Sequence, residues 1–316
     1  MEGILRQIGR TALVPLVRIG RGLPVQVWVK CEHLNPGGSV KDRIALAIVD
    51  DAQSRGVLRP GMTLIEATAG NTGVGLALIA AARGYSLVCV MPEKMSVDKR
   101  VALTSMGARV IITADAAPSS PENFRNVAKR LSEENGWFLT DQFCNPVNVQ
   151  VHERTTGAEI LEQTSGNVGA FVAGAGTGGT ITGVGRTLKA ALPRVQIVLA
   201  DPVGSGLADW VETGTVGPDA RYEVEGIGGS QAPENLHRAV IDGAERVSDA
   251  ESFAMVMRLV REEGLLVGGS AGTNVVAALR VAARGGLTGP VVTVLPDSWD
   301  RYRAKPWMQN WSPQAG

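Results

Sequence analysis

The 316-residue chain is short of the residues that mark several common protein classes. Its three cysteines, Cys31, Cys89 and Cys144, have no CxxC or metal-ligand spacing, so no disulfide scaffold and no metal site is expected, and a reducing cytoplasm suits it. Three histidines, His33, His152 and His237, are scattered, and no motif singles one out for catalysis. Net charge is absent too. The 31 basic residues are matched by 31 acidic ones, which leaves no electrostatic drive toward nucleic acid or an anionic membrane. No apolar run approaches the ~18 residues of a membrane span, and no basic-then-apolar leader opens the chain. Repeats, low-complexity tracts and charge runs are missing as well.

Glycine and alternating apolar runs are abundant. A composition 44% apolar with 39 glycines fits a compact enzyme rich in glycine turns. The length is large for a single core, so two lobes are expected. Short β-rich runs such as "QVWVKCE", "MTLIEAT", "YSLVCVMP" and "ARVIITA" alternate with helical ones, and a second series runs from "NVGAFVAGAG" to "GPVVTVLPD". That alternation predicts parallel sheets joined by helical crossovers. A helix is expected from about Ser39 to Ser54, and the helix around "PENFRNVAKRLSEEN" is expected to be capped by Ser120 or Pro121. The stretch from "DPVGSG" to "GGSQAPENL" has little periodicity and reads as a loop near a site.

Three glycine turns and one lysine carry chemistry. "GAGTGGT", Gly174 to Thr180, follows an apolar strand and opens a helix. Glycines let backbone amides approach an anion, the helix N-terminus adds a favourable dipole, and Thr177 and Thr180 add hydroxyls. The turn lacks the Walker lysine and the GxGxxG spacing, so it suits a phosphate but not a nucleoside triphosphate. "TAGNTG", Thr68 to Gly73, offers hydroxyls and amides without charge. That suits a carboxylate, or else Asn71 or Thr72 simply caps a helix. In "GGSAGTN", Ser270 reads on its own as a helix cap. Lys41 in "NPGGSVKDR" stands just past a Pro-Gly-Gly turn, at a strand-to-helix junction where α/β proteins place their chemistry. An amine, a phosphate cradle and a carboxylate-sized loop together point to a Schiff base with pyridoxal 5′-phosphate.

With these motifs the chain resembles the fold-type-II pyridoxal-phosphate enzymes of the cysteine synthase and cystathionine β-synthase group. The likeness runs nearly end to end and rests on "NPGGSVKDR", "EATAGNTG", "DQFCNP", "GAGTGGT", "YEVEGIG", "EEGLLVGGSAG" and "LPD". It implies a two-lobed α/β fold like that of tryptophan synthase β, each lobe a twisted, mainly parallel sheet flanked by helices. Residues 1–42 and 146–316 would form the larger, cofactor-binding lobe, and 43–145 the smaller mobile one. Lys41 would carry the internal aldimine and Asn71 would bind the cofactor's 3′-oxygen. Gly176, Thr177, Gly178, Gly179 and Thr180 would cradle the phosphate, Ser270 would face the pyridine nitrogen, and Asp297 would close the ring end or cap the following turn. Thr68, Ala69, Gly70, Thr72 and Gln142 match the family's substrate-carboxylate site, and Gly226 and Gly228 match the loop covering the substrate's other side.

The implied reaction is β-replacement on O-acetyl-L-serine or L-serine through an aminoacrylate, with homocysteine or sulfide as nucleophile, giving cystathionine or cysteine. The likeness also implies a cytoplasmic homodimer whose ligands are a small amino acid and a thiol or sulfide. Ala69 replaces the family's usual serine, and Gly229-Ser230 stands where the eukaryotic synthase has a tyrosine; both departures favour an activated serine. The length has no room for a haem-binding extension or a regulatory module, so a compact catalytic core is expected. The alternatives are a 2,3-diaminopropionate-type synthase with an amine nucleophile and a serine/threonine dehydratase. Cys31 is expected to be buried, Arg301 and Tyr302 to be exposed or else to face the substrate, and the tryptophans of "KPWMQNW" to pack the C-terminal tail onto a lobe or a partner subunit.

Overall fold

A computed structural model describes residues 3–309 except 69, 94, 96 and 118. It divides into two compact units, one of Met1–Gly9 and Asn35–Val151, the other of Arg10–Leu34 and His152–Gly316. Relative to the lobes expected from sequence, residues 1–9, 35–42 and 146–151 belong with the 43–145 unit. The reasons are local. Leu5 is buried in that unit's apolar core, Asn35 Oδ1 accepts from the Gly9 amide at 2.8 Å, and Asn148 Nδ2 donates to the Gln142 carbonyl at 2.8 Å.

The first unit holds a four-stranded sheet in the order Arg109–Thr113, Ser86–Pro92, Thr63–Ala67, Phe138–Leu139, with every pair parallel. Alternation along each strand sends side chains to opposite faces. Leu64, Leu87 and Met91 meet the helices Lys41–Ser54 and Asn71–Arg83, whereas Ile65, Val88 and Val90 meet the helix Phe124–Asn135. Both faces are covered, which is why these strands read as continuous apolar runs. Fully burying one such side chain contributes about 1.5–3 kcal/mol.

The second unit holds six strands in the order Leu13–Pro15, Val27–Lys30, Val291–Val294, Ala170–Ala173, Gln196–Pro202, Gly243–Val247. Only the edge strand Leu13–Pro15 runs antiparallel. Val172, Val198 and Val291 face the helices Asp249–Arg258 and Gly269–Ala283, and Phe171, Ile197 and Val292 face the helix Gly179–Ala191. The α/β class with parallel sheets flanked by helices is thus observed.

Several local expectations are corrected. The helix Phe124–Asn135 is capped by Asn123, whose side chain accepts from Arg125 N, and not by Ser120 or Pro121. The aperiodic stretch contains a helix, Leu207–Thr213, and residues 203–206 and 214–237 on either side of it lack helix and strand. Neither Asn71, Thr72 nor Ser270 is an N-cap; Gly70 and Gly268 hold those places and offer no side chain. Two π-helical turns, His152–Gly157 and Leu259–Glu263, had no sequence signal. Among the described residues no helix is long and apolar enough to cross a membrane, and no three side chains are grouped to hold a metal.

Candidate active site

Lys41 is the first residue of the helix Lys41–Ser54 and is half-buried. Its amide lies 3.2 Å from the Ser39 hydroxyl, and the next two side chains, Asp42 and Arg43, are buried. The helix Asn71–Arg83 crosses close by because Gly75 has no side chain. A Cβ there would press to 3.2 Å from the Lys41 carbonyl and 3.2 Å from Ala45 Cβ. The lysine's turn and the Thr68–Thr72 loop are therefore held by one helix contact within the same unit.

Thr68 and Thr72 of that loop are buried. Thr68 Oγ1 accepts from the Gly70 amide at 3.2 Å, and the following helix begins without a side-chain cap. Thr72 donates its hydroxyl to Gln142 Oε1 at 2.6 Å. Behind them, Glu66 accepts from the Thr140 hydroxyl and from Gln142 N at 3.3 Å. Burial pushes the Glu66 carboxyl up to about 7, against those hydrogen bonds. Thr72 thus reaches Gln142, Thr68 and Gly70 are joined within the loop that leads to Asn71, and Ala69 lies outside the described residues. Glu66 was missed: an acid inside an apolar strand was its only signal.

In the other unit, the strand Ala170–Ala173 leads through Gly174–Gly178 into the helix Gly179–Ala191. Asn274 fixes the turn from behind, accepting from the Gly174 amide at 2.7 Å and donating to the Val294 carbonyl at 2.8 Å. Gly228 N donates to the Ala175 carbonyl at 2.8 Å, so the Gly226–Gly228 stretch lies along the turn. A Cβ on Gly176 would strike the Gly226 carbonyl. One on Gly178 (φ +86°) would sit 2.5 Å from Leu236 N. No side chain caps the helix, and a helix N-terminus of this kind favours an anion.

Thr180 Oγ1 lies 3.2 Å from His152 Nε2, and His152 Nδ1 lies 2.9 Å from Thr156 Oγ1. His152, which no motif recommended, is therefore buried against the cradle. Thr187 donates to the Glu153 carbonyl at 2.9 Å, supporting the π-helical turn that carries it. Ser270 is buried in the first turn of Gly269–Ala283, and its hydroxyl makes no hydrogen bond among the described residues. Asp297 accepts from the Tyr302 hydroxyl, and Tyr302 is buried rather than exposed. Arg301 is half-buried. Trp307 stacks on Phe253, with ring centres 4.5 Å apart, while Trp311 lies outside the described residues. Cys31 is buried, which pushes its thiol up to about 11.

A glycine turn at an uncapped helix end and a neutral buried hydroxyl with no hydrogen bond among the described residues fit a phosphate and an unprotonated ring nitrogen. The family model of pyridoxal-phosphate dependent enzymes matches residues 4–297. The chain belongs to that family.

The cystathionine beta-synthase of Apis mellifera is 43% identical over 320 residues, covering 100% of this chain and 63% of its own length. The chain thus spans under two thirds of that relative. The cysteine synthase of Staphylococcus aureus (strain Mu50) is 40% identical, covering 97% of this chain and 96% of the relative. Among solved structures, O-ureido-L-serine synthase superposes with a TM-score of 0.91 at 37% identity, over 99% of this chain and 96% of that one. The O-acetylserine dependent cystathionine beta-synthase from Helicobacter pylori gives 0.88 at 36%, over 96% and 98%. Enzymes with these names use pyridoxal phosphate, and that is the cofactor of this family.

Proposed function

We propose that the chain catalyses β-replacement on O-acetyl-L-serine or L-serine with a sulfur nucleophile, yielding cystathionine from homocysteine or cysteine from sulfide. Pyridoxal phosphate, when bound, supplies an electron sink that makes the Cα proton of an amino acid acidic. The protein's residues do the rest. Lys41 would hold the cofactor through its aldehyde, and the Lys41 amine would take the Cα proton and return it. Gly176 to Thr180 would hold the phosphate with amides and hydroxyls, and Asn71 would bind the 3′-oxygen. Thr68, Ala69, Gly70, Thr72 and Gln142 would receive the substrate carboxylate; Gly226 and Gly228 would cover the other side of the substrate, and Asp297 would close the ring end.

The observation that carries this reading is Ser270, a buried hydroxyl with no hydrogen bond among the described residues. A carboxylate there would keep the ring nitrogen protonated, and a hydroxyl does not. The weaker sink favours loss of a β-substituent, which relieves charge at Cα, over long-lived carbanion chemistry. Ala69 removes a hydroxyl from the carboxylate loop, and Gly229-Ser230 offers no tyrosine, so the acetylated donor is the preferred one. The likeness to O-ureido-L-serine synthase supports a second reading, in which the nucleophile is not sulfur. The free thiols and the family resemblance support a homodimer in the cytoplasm.

The test is product analysis by mass spectrometry after incubating the holoenzyme with each donor and with homocysteine, sulfide or an amine. Cystathionine or cysteine, formed faster from the acetylated donor, is the expected result. Diaminopropionate alone would move the chain to the second reading, and pyruvate alone would make it a dehydratase.

A further inference from the structure

Glu66 is an acid placed where charge is costly. It lies near the end of the strand Thr63–Ala67, is 1% exposed, and has its carboxyl raised to about 7 by burial. Its titratable and charged neighbours come from three directions. Cys89 pairs with it in register on the adjacent strand, and that thiol is raised to about 12, chiefly by burial. Asp141, on the turn before Gln142, repels it. Arg125, on the helix Phe124–Asn135, is lowered by burial, against the opposing charges of Cys144, Glu66 and Asp141.

The carboxyl also touches Gln142. Gln142 Nε2 points at Glu66 Oε1 from 3.4 Å and Gln142 N at Oε2 from 3.3 Å, while Gln142 Oε1 accepts the Thr72 hydroxyl. An ionised carboxylate only accepts hydrogen bonds. It therefore keeps the amide nitrogen of Gln142 toward itself and turns Oε1 to Thr72, whose single proton is then committed to Gln142. A protonated carboxyl carries a donor of its own. The amide is then free to turn over, so that Oε1 receives the Glu66 proton, Nε2 donates to Thr72, and the Thr72 proton is released to a bound anion.

We propose that Glu66 is a positioning residue that sets the polarity of the Gln142–Thr72 pair, and that its protonated form is the one that offers the Thr72 hydroxyl to the substrate carboxylate. This rests on the proposed role of Thr72 and Gln142 at that carboxylate. Carboxylate binding then draws a proton onto Glu66, and affinity falls as pH rises past the carboxyl's midpoint.

The probe is propionate, a monocarboxylate without an amine or a leaving group, titrated into the holoenzyme while the cofactor absorbance is followed. Its dissociation constant should rise about tenfold between about pH 6 and about pH 8.5, the worth of one hydrogen bond to a charged group. Glu66→Gln carries a permanent donor, so it should hold the tight, low-pH affinity throughout with its cofactor band unchanged. An unchanged pH slope in Glu66→Gln overturns the proposal. If that variant does not fold, proton uptake by the wild type on adding propionate near pH 7, read with an indicator dye in weak buffer, decides: uptake supports the proposal and none refutes it. Thr72→Val separates the two claims. Weakened propionate binding in it, together with an unchanged slope in Glu66→Gln, leaves the carboxylate site standing and sinks only the role of Glu66. Unweakened binding in Thr72→Val sinks both.

Discussion

Tyr302 donates its hydroxyl to Asp297 Oδ2 across 2.6 Å, and both side chains are buried. The Gly268 amide donates to the Asp297 carbonyl at 3.1 Å, and Trp307 packs beside Tyr302 with its ring 5.8 Å away. The segment from Asp297 to Trp307 is thereby tied to the start of the helix that bears Ser270. Burial, the Asp297 charge and this hydrogen bond raise the Tyr302 phenol well above its ordinary value, so it remains a donor at neutral pH. Tyr302→Phe leaves a buried carboxylate oxygen without this donor and should cost about 1–3 kcal/mol in urea unfolding. An unchanged urea midpoint would show that the bond adds nothing to stability.

Gly176→Ala tests the cradle. The added methyl meets the Gly226 carbonyl, so one of the two backbone segments must move. Cofactor affinity should fall by at least about tenfold, since amides that bind an oxyanion lose strength steeply with misplacement. Titration of the apoprotein with pyridoxal phosphate measures it, and circular dichroism checks that the fold persists. Full affinity in a folded variant would mean that this turn does not hold the phosphate.

Two buried carboxyls link stability to pH. Burial raises Asp201 to about 6 from an ordinary 3.8 and Glu66 to about 7 from 4.5. A carboxyl with a higher pKa folded than unfolded binds more protons in the folded state, so its contribution is lost as pH rises from the unfolded value through the folded one. Wild type should therefore lose stability relative to Asp201→Asn between about pH 4 and 6, and relative to Glu66→Gln between about pH 4.5 and 7. Parallel stability curves for wild type and both variants would contradict the assignment.

The parts of the structure visible in the sequence are those written locally. Strands such as Ser86–Pro92 lie between two helical layers and so read as apolar runs, and glycine turns mark where strands hand over to helices. The place of Lys41 at the start of a helix was legible because its turn and its helix are adjacent in sequence. What stayed hidden depends on contacts made across long stretches of chain. The two-residue strand Phe138–Leu139 exists only by pairing with Leu64 and Ile65, and the π-helical turn at His152 is supported by Thr187. Glu66 gives no hint in sequence of its bonds to Thr140 and Gln142. Tyr302 looked like surface because the Gly268 backbone that it covers lies far back along the chain.

The most direct test of the account is to reduce the holoenzyme with borohydride, digest it, and locate by mass spectrometry the peptide that carries the cofactor. Attachment at Lys41, lost in Lys41→Ala together with all turnover, is the predicted result. Attachment at another lysine, or an active Lys41→Ala variant, would contradict it.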